Sequence, residues 1–199
     1  MSKPLNQVFS PGRNMSSVNN KVDAPVVLTT IEEVRQQVSQ WKQAGERIAF
    51  VPTMGHLHAG HLRLVEAAIE SGDHVVVSIF VNPTQFGPNE DYDSYPRDID
   101  EDTVMLREVG CDVLFTPSAE EMYPDGNVTT VTVAGLTDRL CGASRPGHFD
   151  GVTTVVNKLF NITKPHRAYF GLKDYQQYRV LDRMVTDLDM DIEVIGMST

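Results

Sequence analysis

Apolar residues follow two spacings along the chain, and each spacing predicts a different element. Between Thr30 and Gly45 they recur every three or four residues, which predicts an amphipathic helix, and Thr30 with Glu33 forms the pattern of a capping box. From His74 to Val81 they are nearly consecutive and β-branched, which predicts a strand buried on both faces, as in a parallel sheet. The same patterns predict further helices at 60–70, 98–109 (capped by Asp98), 151–161 and 174–187, and further strands at 47–51, 112–115, 129–133, 167–170 and 191–195.

The order of these elements predicts the fold. Strands that alternate with helices are typical of βαβ units, and they predict a Rossmann-like α/β domain with an open, doubly wound and mostly parallel sheet. We assign this domain to residues 25–199. Residues 1–24 are rich in Ser, Asn, Lys and Pro and show no periodicity, so we expect a disordered leader there. Ligands of such sheets bind at the carboxyl ends of the strands, where we expect the loops 52–60, 82–88, 141–150 and 171–173 to meet.

Composition narrows the class of protein. With 199 residues the chain can bury a core without disulfides, and Cys111 and Cys141 lack Cys-x-x-Cys spacing, so we expect free thiols. No apolar run approaches the ~20 residues of a membrane span and the N-terminus lacks a signal peptide, so we expect a soluble, cytoplasmic protein. The net charge of −10 argues against a nucleic-acid surface. Local cations could still hold a small anion, and four are candidates: Arg145, His148, Lys158 and Lys173.

Candidate functional side chains are most concentrated in residues 51–62, Val-Pro-Thr-Met-Gly-His-Leu-His-Ala-Gly-His-Leu. This segment lies between a predicted strand and a predicted helix. The first N–H groups of a helix lack partners and its dipole is positive there, so this start favours an anion such as a phosphate. His58 and His61 can share one face of the first turn, where imidazoles donate hydrogen bonds or carry positive charge. In the alternative interpretation, one histidine caps the helix and the other packs. Zinc is a weaker hypothesis, because the His-Glu-x-x-His pattern is missing, and we assign no metal ligand.

Five blocks of sequence, in order, resemble one family. They are Pro52-Thr53-Met54-Gly55-x-Leu57-His58-x-Gly60-His61, Ser78-Ile79-Phe80-Val81-Asn82-Pro83-Thr84-Gln85-Phe86, Tyr95-Pro96-Arg97, Arg145-Pro146-Gly147-His148-Phe149-x-Gly151-Val152 and Phe170-Gly171-Leu172-Lys173-Asp174-Tyr175-Gln176-Gln177. The first block resembles the His-x-Gly-His signature of the nucleotidyltransferase superfamily of class I aminoacyl-tRNA synthetase type, and the whole set resembles its pantothenate synthetase family. Any one block is a weak signal, but five at family-like spacing are highly specific.

The resemblance implies an activity and a site. The family condenses pantoate with β-alanine in an ATP-dependent reaction, through a pantoyl adenylate, and releases AMP and pyrophosphate. Catalytic roles are implied for His58, His61 and Lys173, with His61 as the proton donor. ATP binding is implied for Met54, Gly55, His56, Leu57, His58, Ala59, Gly60, His61, Gly171, Leu172, Lys173 and Asp174. Binding of pantoate and β-alanine is implied for Gln85, Gln177, Asn82 and Arg145. The resemblance also implies Mg²⁺ accompanying ATP, and a homodimer.

Several of these residues also have plainer interpretations. Lys173 alone could be a solvated surface lysine, and Arg145 could form a surface ion pair of small energetic value. Asp174 could contact ATP hydroxyls or magnesium, or it could cap the helix that it begins. Gln176 and Gln177 are adjacent and cannot both face the site, so Gln177 is chosen from the resemblance and not from spacing.

The chain departs from the family pattern at His56 and Ala59, where a small residue and an acid are common, and we interpret both changes as neutral. It also stops at Thr199, where family members continue with a serine- and arginine-bearing loop and a smaller C-terminal domain. We therefore expect a nucleotide-binding domain with the C-terminal domain absent, folded but poorly active. Two alternatives stay open. One is another adenylyl or cytidylyl transferase of the superfamily, which need not keep Gln85 and Gln177, and the other is a nucleotide-binding or dimerisation module without catalysis.

Overall fold

The computed structural model describes residues 24–87, 90, 92–125 and 127–199, which form an open sheet with helices on both faces. The strands are β1 (Val26–Leu28), β2 (Ile48–Thr53), β3 (His74–Ile79), β4 (Val113–Phe115), β5 (Arg167–Gly171) and β6 (Glu193–Met197). The helices are α1 (Ile31–Gln43), α2 (Ala59–Glu70), α3 (Ile99–Val109), α4 (Ala119–Met122), α5 (Cys141–Ser144), α6 (His148–Thr163) and α7 (Tyr175–Asp187). Short 3₁₀ turns lie at Pro83–Gln85 and Leu172–Asp174.

The strand order in the sheet is β1-β4-β3-β2-β5-β6, and every neighbouring pair is parallel. From β2 the chain winds outward through β3 and β4 on one side, and it later returns to wind through β5 and β6 on the other. The direction of winding therefore reverses between β2 and β5. In doubly wound sheets a ligand crevice lies at this switch point, beside the carboxyl ends of the two strands. The predicted Rossmann-like, mostly parallel fold is confirmed.

Two apolar layers enclose the sheet. Ile48 and Phe50 of β2 belong to the layer that α1, α6 and α7 form on one face. Ala49 and Val51 belong to the layer that α2 and α3 form on the other face. This burial on both faces explains why the central strands are apolar at consecutive positions and not at alternate ones.

The caps predicted at Thr30 and Asp98 are confirmed. Thr30 accepts a hydrogen bond from the Glu33 N–H, and the Glu33 carboxylate accepts one from the Thr30 N–H, which closes the capping box. Asp98 caps α3 by accepting from the Glu101 N–H. The largest error in a predicted boundary is at α6, which begins at His148 and not at Gly151. Its N-cap is Gly147, which offers no side-chain cap and therefore no sequence signal.

One predicted strand is wrong, and one observed strand is missing from the predictions. Residues 129–133 are not a strand, because their backbone pairs with side chains of α6: the Val131 N–H donates to Thr154, and the Val131 carbonyl accepts from Thr153. β1 is short, and its Val26 and Val27 side chains are exposed, so its sequence carries no buried pattern. The predicted disordered leader lies outside the described residues, except for Ala24.

Both cysteines are free thiols, as predicted, with Cys111 buried and Cys141 exposed. Burial raises the pKa of the Cys111 thiol to about 12, so this thiol stays protonated at neutral pH. No helix among the described residues is long and apolar enough to cross a membrane.

Candidate active site

A cleft of about 390 Å³ opens at the switch point, beside the carboxyl ends of β2 and β5. Most of the predicted site residues meet there, although they come from the segments that follow β2, β3 and β5 and from α2 and α7. Those that line the cleft are Met54, Gly55, His56, His58, Gly60, His61, Asn82, Gln85, Gly171, Lys173, Asp174 and Gln177.

Four predicted residues lie elsewhere. Leu57 is 5% exposed and belongs to the core that α2 forms with the sheet. Ala59 is exposed at the first position of α2, and Leu172 lies against Gly196 of β6. Arg145 is engaged in an ion pair at a neighbouring cavity. The motif therefore mixes residues that face the cleft with residues that only build the loops around it.

The loop after β2 is a tight turn that a carboxylate of α3 holds in place. Gly55 and His56 both adopt left-handed backbone conformations, with φ of 86° and 52°. Asp102, which is 1% exposed, accepts from the His56 N–H at 3.0 Å and from the Leu57 N–H at 2.7 Å. A Cβ at Gly55 would lie 3.2 Å from Asp102 Oδ2 and 3.0 Å from Ile79 Cγ2, so glycine avoids two tight contacts as well as permitting the positive φ.

His58 precedes α2 and caps it. Its Nδ1 accepts a hydrogen bond from the Gly60 N–H at 3.0 Å. An accepting Nδ1 carries no proton, so the neutral ring holds its proton on Nε2. A Cβ at Gly60 would lie 2.8 Å from His58 Cε1, so the cap needs glycine there. The helix start thus fixes the tautomer that makes His58 a hydrogen-bond donor at the cleft.

His61 packs against His58, with ring centroids 4.1 Å apart. Burial, and then the neighbouring His58, lower the pKa of His61 from 6.5 to about 4, so the imidazole is neutral at neutral pH. Its buried Nδ1 has no hydrogen-bond partner among the described residues. In the ligand-free site His61 therefore offers a hydrogen bond and not the positive charge that the sequence also allows.

We expect the His61 imidazole to titrate near pH 4 in the ligand-free chain, as measured by NMR on its Cε1 proton and assigned with a His61→Gln variant. Because the folded pKa lies below the ordinary 6.5, the unfolded chain binds more protons between these values. The contribution of His61 to stability is then complete above pH 6.5 and is lost as the pH falls towards 4. A midpoint near 6.5 for this resonance contradicts the burial of the ring.

Part of the backbone of this turn is already engaged. Four N–H groups before and at the start of α2 donate to protein acceptors, namely those of Gly55, His56, Leu57 and Gly60. The Leu62 N–H makes the ordinary first hydrogen bond of α2, to the His58 carbonyl. The side chains of His58, His61 and Lys173 line the cleft beside this helix start.

The turn after β5 brings charged side chains to the same cleft. Lys173 is exposed, and its charge lies near enough to His61 to contribute to lowering the pKa of that imidazole. Asp174 precedes α7, but its side chain makes no capping hydrogen bond, so the plainer interpretation of Asp174 as a cap is not supported.

The two adjacent glutamines of α7 have different tasks. The Gln176 amide donates to the carbonyls of Leu136 and Arg139 and accepts from the Cys141 N–H, so it ties α7 to the loop before α5. Gln177 lines the cleft. The structure thus resolves by hydrogen bonding a choice that helical spacing leaves open.

Asn82 holds the 3₁₀ turn that carries Gln85. Asn82 is 1% exposed, and its amide donates to the Gly151 carbonyl at 3.1 Å and to Gln85 Oε1 at 3.2 Å. Its own oxygen accepts from the Tyr123 hydroxyl at 2.9 Å. Gln85 in turn directs its amide nitrogen to the Met54 sulfur. Asn82 therefore acts on the cleft chiefly by orienting Gln85 beside the His-rich turn.

An apolar wall completes the cleft, and its residues are not among the predicted site residues. It consists of Val152, Val155, Val156 and Leu159 on α6. These residues follow the spacing i, i+3, i+4, i+7, which marks one face of a helix, so the signal is present in the sequence. Tyr95, in the third family block, also lines the cleft.

Arg145 lies at a second cavity of about 400 Å³, which shares Gln85 with the main cleft. Its guanidinium makes a bidentate pair with Glu90, with both N–O distances 2.6 Å, and this pair lowers the pKa of the Glu90 carboxyl to about 2. A third hydrogen bond joins Arg145 to His148 Nε2 at 3.2 Å, which leaves His148 Nδ1 to donate to the Gln85 carbonyl. The plainer interpretation of Arg145 as an ion-pair residue describes the ligand-free structure.

A zinc site is the alternative interpretation of the three histidines. Across the described part of the chain, no three His, Cys, Asp or Glu side chains are grouped so that they could hold a metal ion. His58 Nδ1 is already occupied by the Gly60 N–H.

Known proteins resemble this chain over most of its length. The sequence model of the Pantoate-beta-alanine ligase family matches residues 26–199. Pantothenate synthetase of Pelotomaculum thermopropionicum is 59% identical over 174 residues, which are 87% of this chain and 62% of that protein. Across three curated relatives the chain spans 60–62% of their length.

Two solved structures share the fold. Pantothenate synthetase from Thermus thermophilus has a TM-score of 0.83 and 52% identity, and the match covers 87% of this chain and 62% of that one. Pantoate-beta-alanine ligase from Francisella tularensis, complexed with beta-gamma ATP and beta-alanine, has a TM-score of 0.83 and 43% identity, with coverage of 88% and 67%. Since the family model matches nearly all of the domain, and the cleft gathers residues from its sequence blocks, this chain belongs to the pantoate-beta-alanine ligase family.

Proposed function

We propose that the domain at residues 25–199 binds ATP and pantoate for the ATP-dependent synthesis of pantothenate. A pantoate carboxylate oxygen attacks the α-phosphorus of ATP, the bond to the bridging oxygen breaks, and pyrophosphate leaves. The amine of β-alanine then attacks the acyl carbon of the pantoyl adenylate, AMP leaves, and the amine loses a proton. One observation carries the proposal: a single cleft joins His58, His61 and Lys173 to Gln85 and Gln177.

In the proposed reaction His58, His61 and Lys173 bind the phosphates of ATP. Phosphoryl transfer depends mainly on positioning and on stabilising charge as it develops. The Nε2–H of His58 and an N–H of His61 donate to phosphate oxygens, while Lys173 supplies a positive charge. His61 is neutral before the nucleotide arrives, and a nearby anion favours its protonated form. Its low pKa in the empty site therefore rises when the triphosphate binds.

In the proposed complex Gln85, Gln177 and the apolar wall of α6 bind pantoate. Pantoate carries hydroxyl groups, a carboxylate and a carbon with two methyl groups. The amides of Gln85 and Gln177 can donate to and accept from these polar groups without placing a further charge in the cleft. The methyl groups fit against Val152, Val155 and Val156 of α6, which face the same space.

The second substrate enters beside Gln85. The Francisella tularensis relative was solved with beta-alanine, which supports β-alanine as the amine. Gln85 lines both the main cleft and the Arg145 cavity, so it lies where the two substrates would meet. We place Arg145 and His148 at this entrance. There they orient the loop that carries Glu90 and the turn that carries Gln85.

Magnesium would accompany ATP. When bound, the ion neutralises charge on the phosphate oxygens, which supply most of its ligands together with one or two carboxylates. Asp174 is an exposed carboxylate among the residues that line the cleft, next to Lys173. The site therefore fits an ion that arrives with its nucleotide.

Titration calorimetry with ATP and with pantoate tests the proposal, and we expect both to bind. The Gln177→Leu variant should weaken pantoate binding about tenfold, because a hydrogen bond to a charged ligand is lost, and leave ATP binding unchanged. The Gln36→Leu variant is a control for the loss of an amide, because Gln36 is exposed on α1 and its amide donates to Glu32. Binding of ATP without pantoate favours another adenylyl or cytidylyl transferase. Binding of both without pantoate-dependent pyrophosphate exchange favours a non-catalytic module, and binding of neither overturns the proposal.

Three further proposals concern the setting of the domain. We propose a homodimer from the family resemblance, and sedimentation tests it. We propose a cytoplasmic location from the sequence features given above. We also propose that the domain binds no nucleic acid, and the chain's net charge of −10 supports this.

A further inference from the structure

The turn between β2 and α2 already binds an anion, and the anion is the protein's own. Successive N–H groups in left-handed or turn conformations form a concave nest that suits an anion. At Gly55 and His56 the chain makes such a turn, and the N–H groups of His56 and Leu57 point together. The two oxygens of Asp102 fill this nest, one on each N–H.

The negative charge of Asp102 disfavours the binding of an anionic ligand in the cleft. Asp102 partly opposes the lowering of the His61 pKa, and it adds to burial in raising the pKa of Tyr95, so its charge reaches the cleft. An unscreened negative charge there repels the phosphates of a nucleotide. If charge alone mattered, the site would bind ATP better without Asp102. The benefit of Asp102 must therefore be geometric.

The backbone conformation of the turn supports a geometric role for Asp102. His56 is a non-glycine residue at φ 52°, a conformation that needs support from its surroundings. Leu57 is buried, and its N–H would lack a partner without the carboxylate. The residue after Leu57 is His58, whose extended backbone and Nδ1 set the first turn of α2 and hence the place of His61. A displacement of the turn therefore also displaces the imidazoles of His58 and His61.

We propose that Asp102 is a positioning residue, whose carboxylate clamps the 55–57 turn so that His58 and His61 meet the phosphates of the nucleotide. This inference rests on the proposed function, because it takes ATP as the ligand. Asp102 does not touch the substrate itself. It acts through two backbone N–H groups and the helix start that follows them.

Three variants of the whole chain separate position from charge. Asp102→Asn removes the charge and leaves one oxygen for two N–H groups. Asp102→Glu keeps the charge but moves the carboxylate by one methylene group. Asp100→Asn is the control, because it removes a charge from an exposed position in the same first turn of α3. ATP affinity is measured by calorimetry, and amide hydrogen exchange of His56 and Leu57 is measured by NMR in the absence of nucleotide.

We expect Asp102→Asn and Asp102→Glu each to weaken ATP binding about tenfold, in line with the sensitivity of such sites to small displacements, and to speed exchange at His56 and Leu57. Asp100→Asn should match the wild type in both measurements. Binding of ATP by Asp102→Asn that equals or exceeds wild type overturns the inference, and so does normal binding by Asp102→Glu. Failure of the wild-type chain to bind ATP counts against the proposed function instead. Unchanged exchange at His56 and Leu57 in Asp102→Asn counts against the clamp whether or not ATP binds.

Discussion

Replacing His61 with alanine is expected to slow pantoyl adenylate formation by about 10² to 10³-fold, the loss typical of one donor to a developing charge. The ring packs against His58 and lines the cleft, so it is placed to donate a hydrogen bond to a bound phosphate. The rate is measured as pantoate-dependent exchange of pyrophosphate into ATP, in an enzyme that carries this domain at the full length of its relatives.

A second variant separates the hydrogen bond of His61 from its proton. His61→Gln keeps an amide donor but cannot transfer a proton at neutral pH. If the neutral imidazole acts mainly as a donor, this variant should keep part of the rate that His61→Ala loses. If proton transfer is essential, the two variants should be equally slow. An effect of less than about threefold for His61→Ala is far below the cost of a lost oxyanion donor, and it means that His61 only packs.

Much of the fold is readable from the sequence because burial leaves a pattern. The consecutive apolar residues of β3 predict a strand covered on both faces, and the cap at Thr30 predicts the start of α1. Segments whose partners are distant give no such pattern. Residues 129–133 look like a strand because Thr and Val alternate, but their backbone partners are hydroxyl groups of α6.

The residues of the site likewise divide into those that the sequence predicts and those that it does not. The blocks around His61, Gln85 and Lys173 predict the cleft, because parallel strands bring their carboxyl ends together. Asp102 could not be predicted. An acid in the first turn of a helix is common for reasons of the helix dipole alone, and its true partners lie 45 and 46 residues away. Long-range hydrogen bonds of this kind leave no mark on local spacing.

Gly151 is the point where α6 meets the turn that carries Asn82 and Gln85. Its carbonyl accepts from the Asn82 amide at 3.1 Å. A Cβ at this position would lie 2.5 Å from the Thr84 carbonyl oxygen and 2.7 Å from Gln85 Cα. These are backbone atoms and cannot rotate away, so the helix and the turn would have to separate. Glycine at 151 therefore sets the distance between the apolar wall and the glutamine that faces it.

The Gly151→Ala substitution is accordingly expected to destabilise the domain by about 1 to 3 kcal/mol, as overpacking does, measured by denaturant unfolding. Helix propensity alone predicts the opposite sign, a gain of about 0.5 to 1 kcal/mol for Gly→Ala inside a helix. Gly87→Ala is the control, because its new Cβ would lie 3.9 Å from Glu90, an ordinary contact. Pantoate affinity should fall with Gly151→Ala while ATP affinity holds, since Gln85 moves and the His-rich turn does not. A stabilised variant with normal pantoate binding would show that α6 and the turn are not in the close contact described for Gly151.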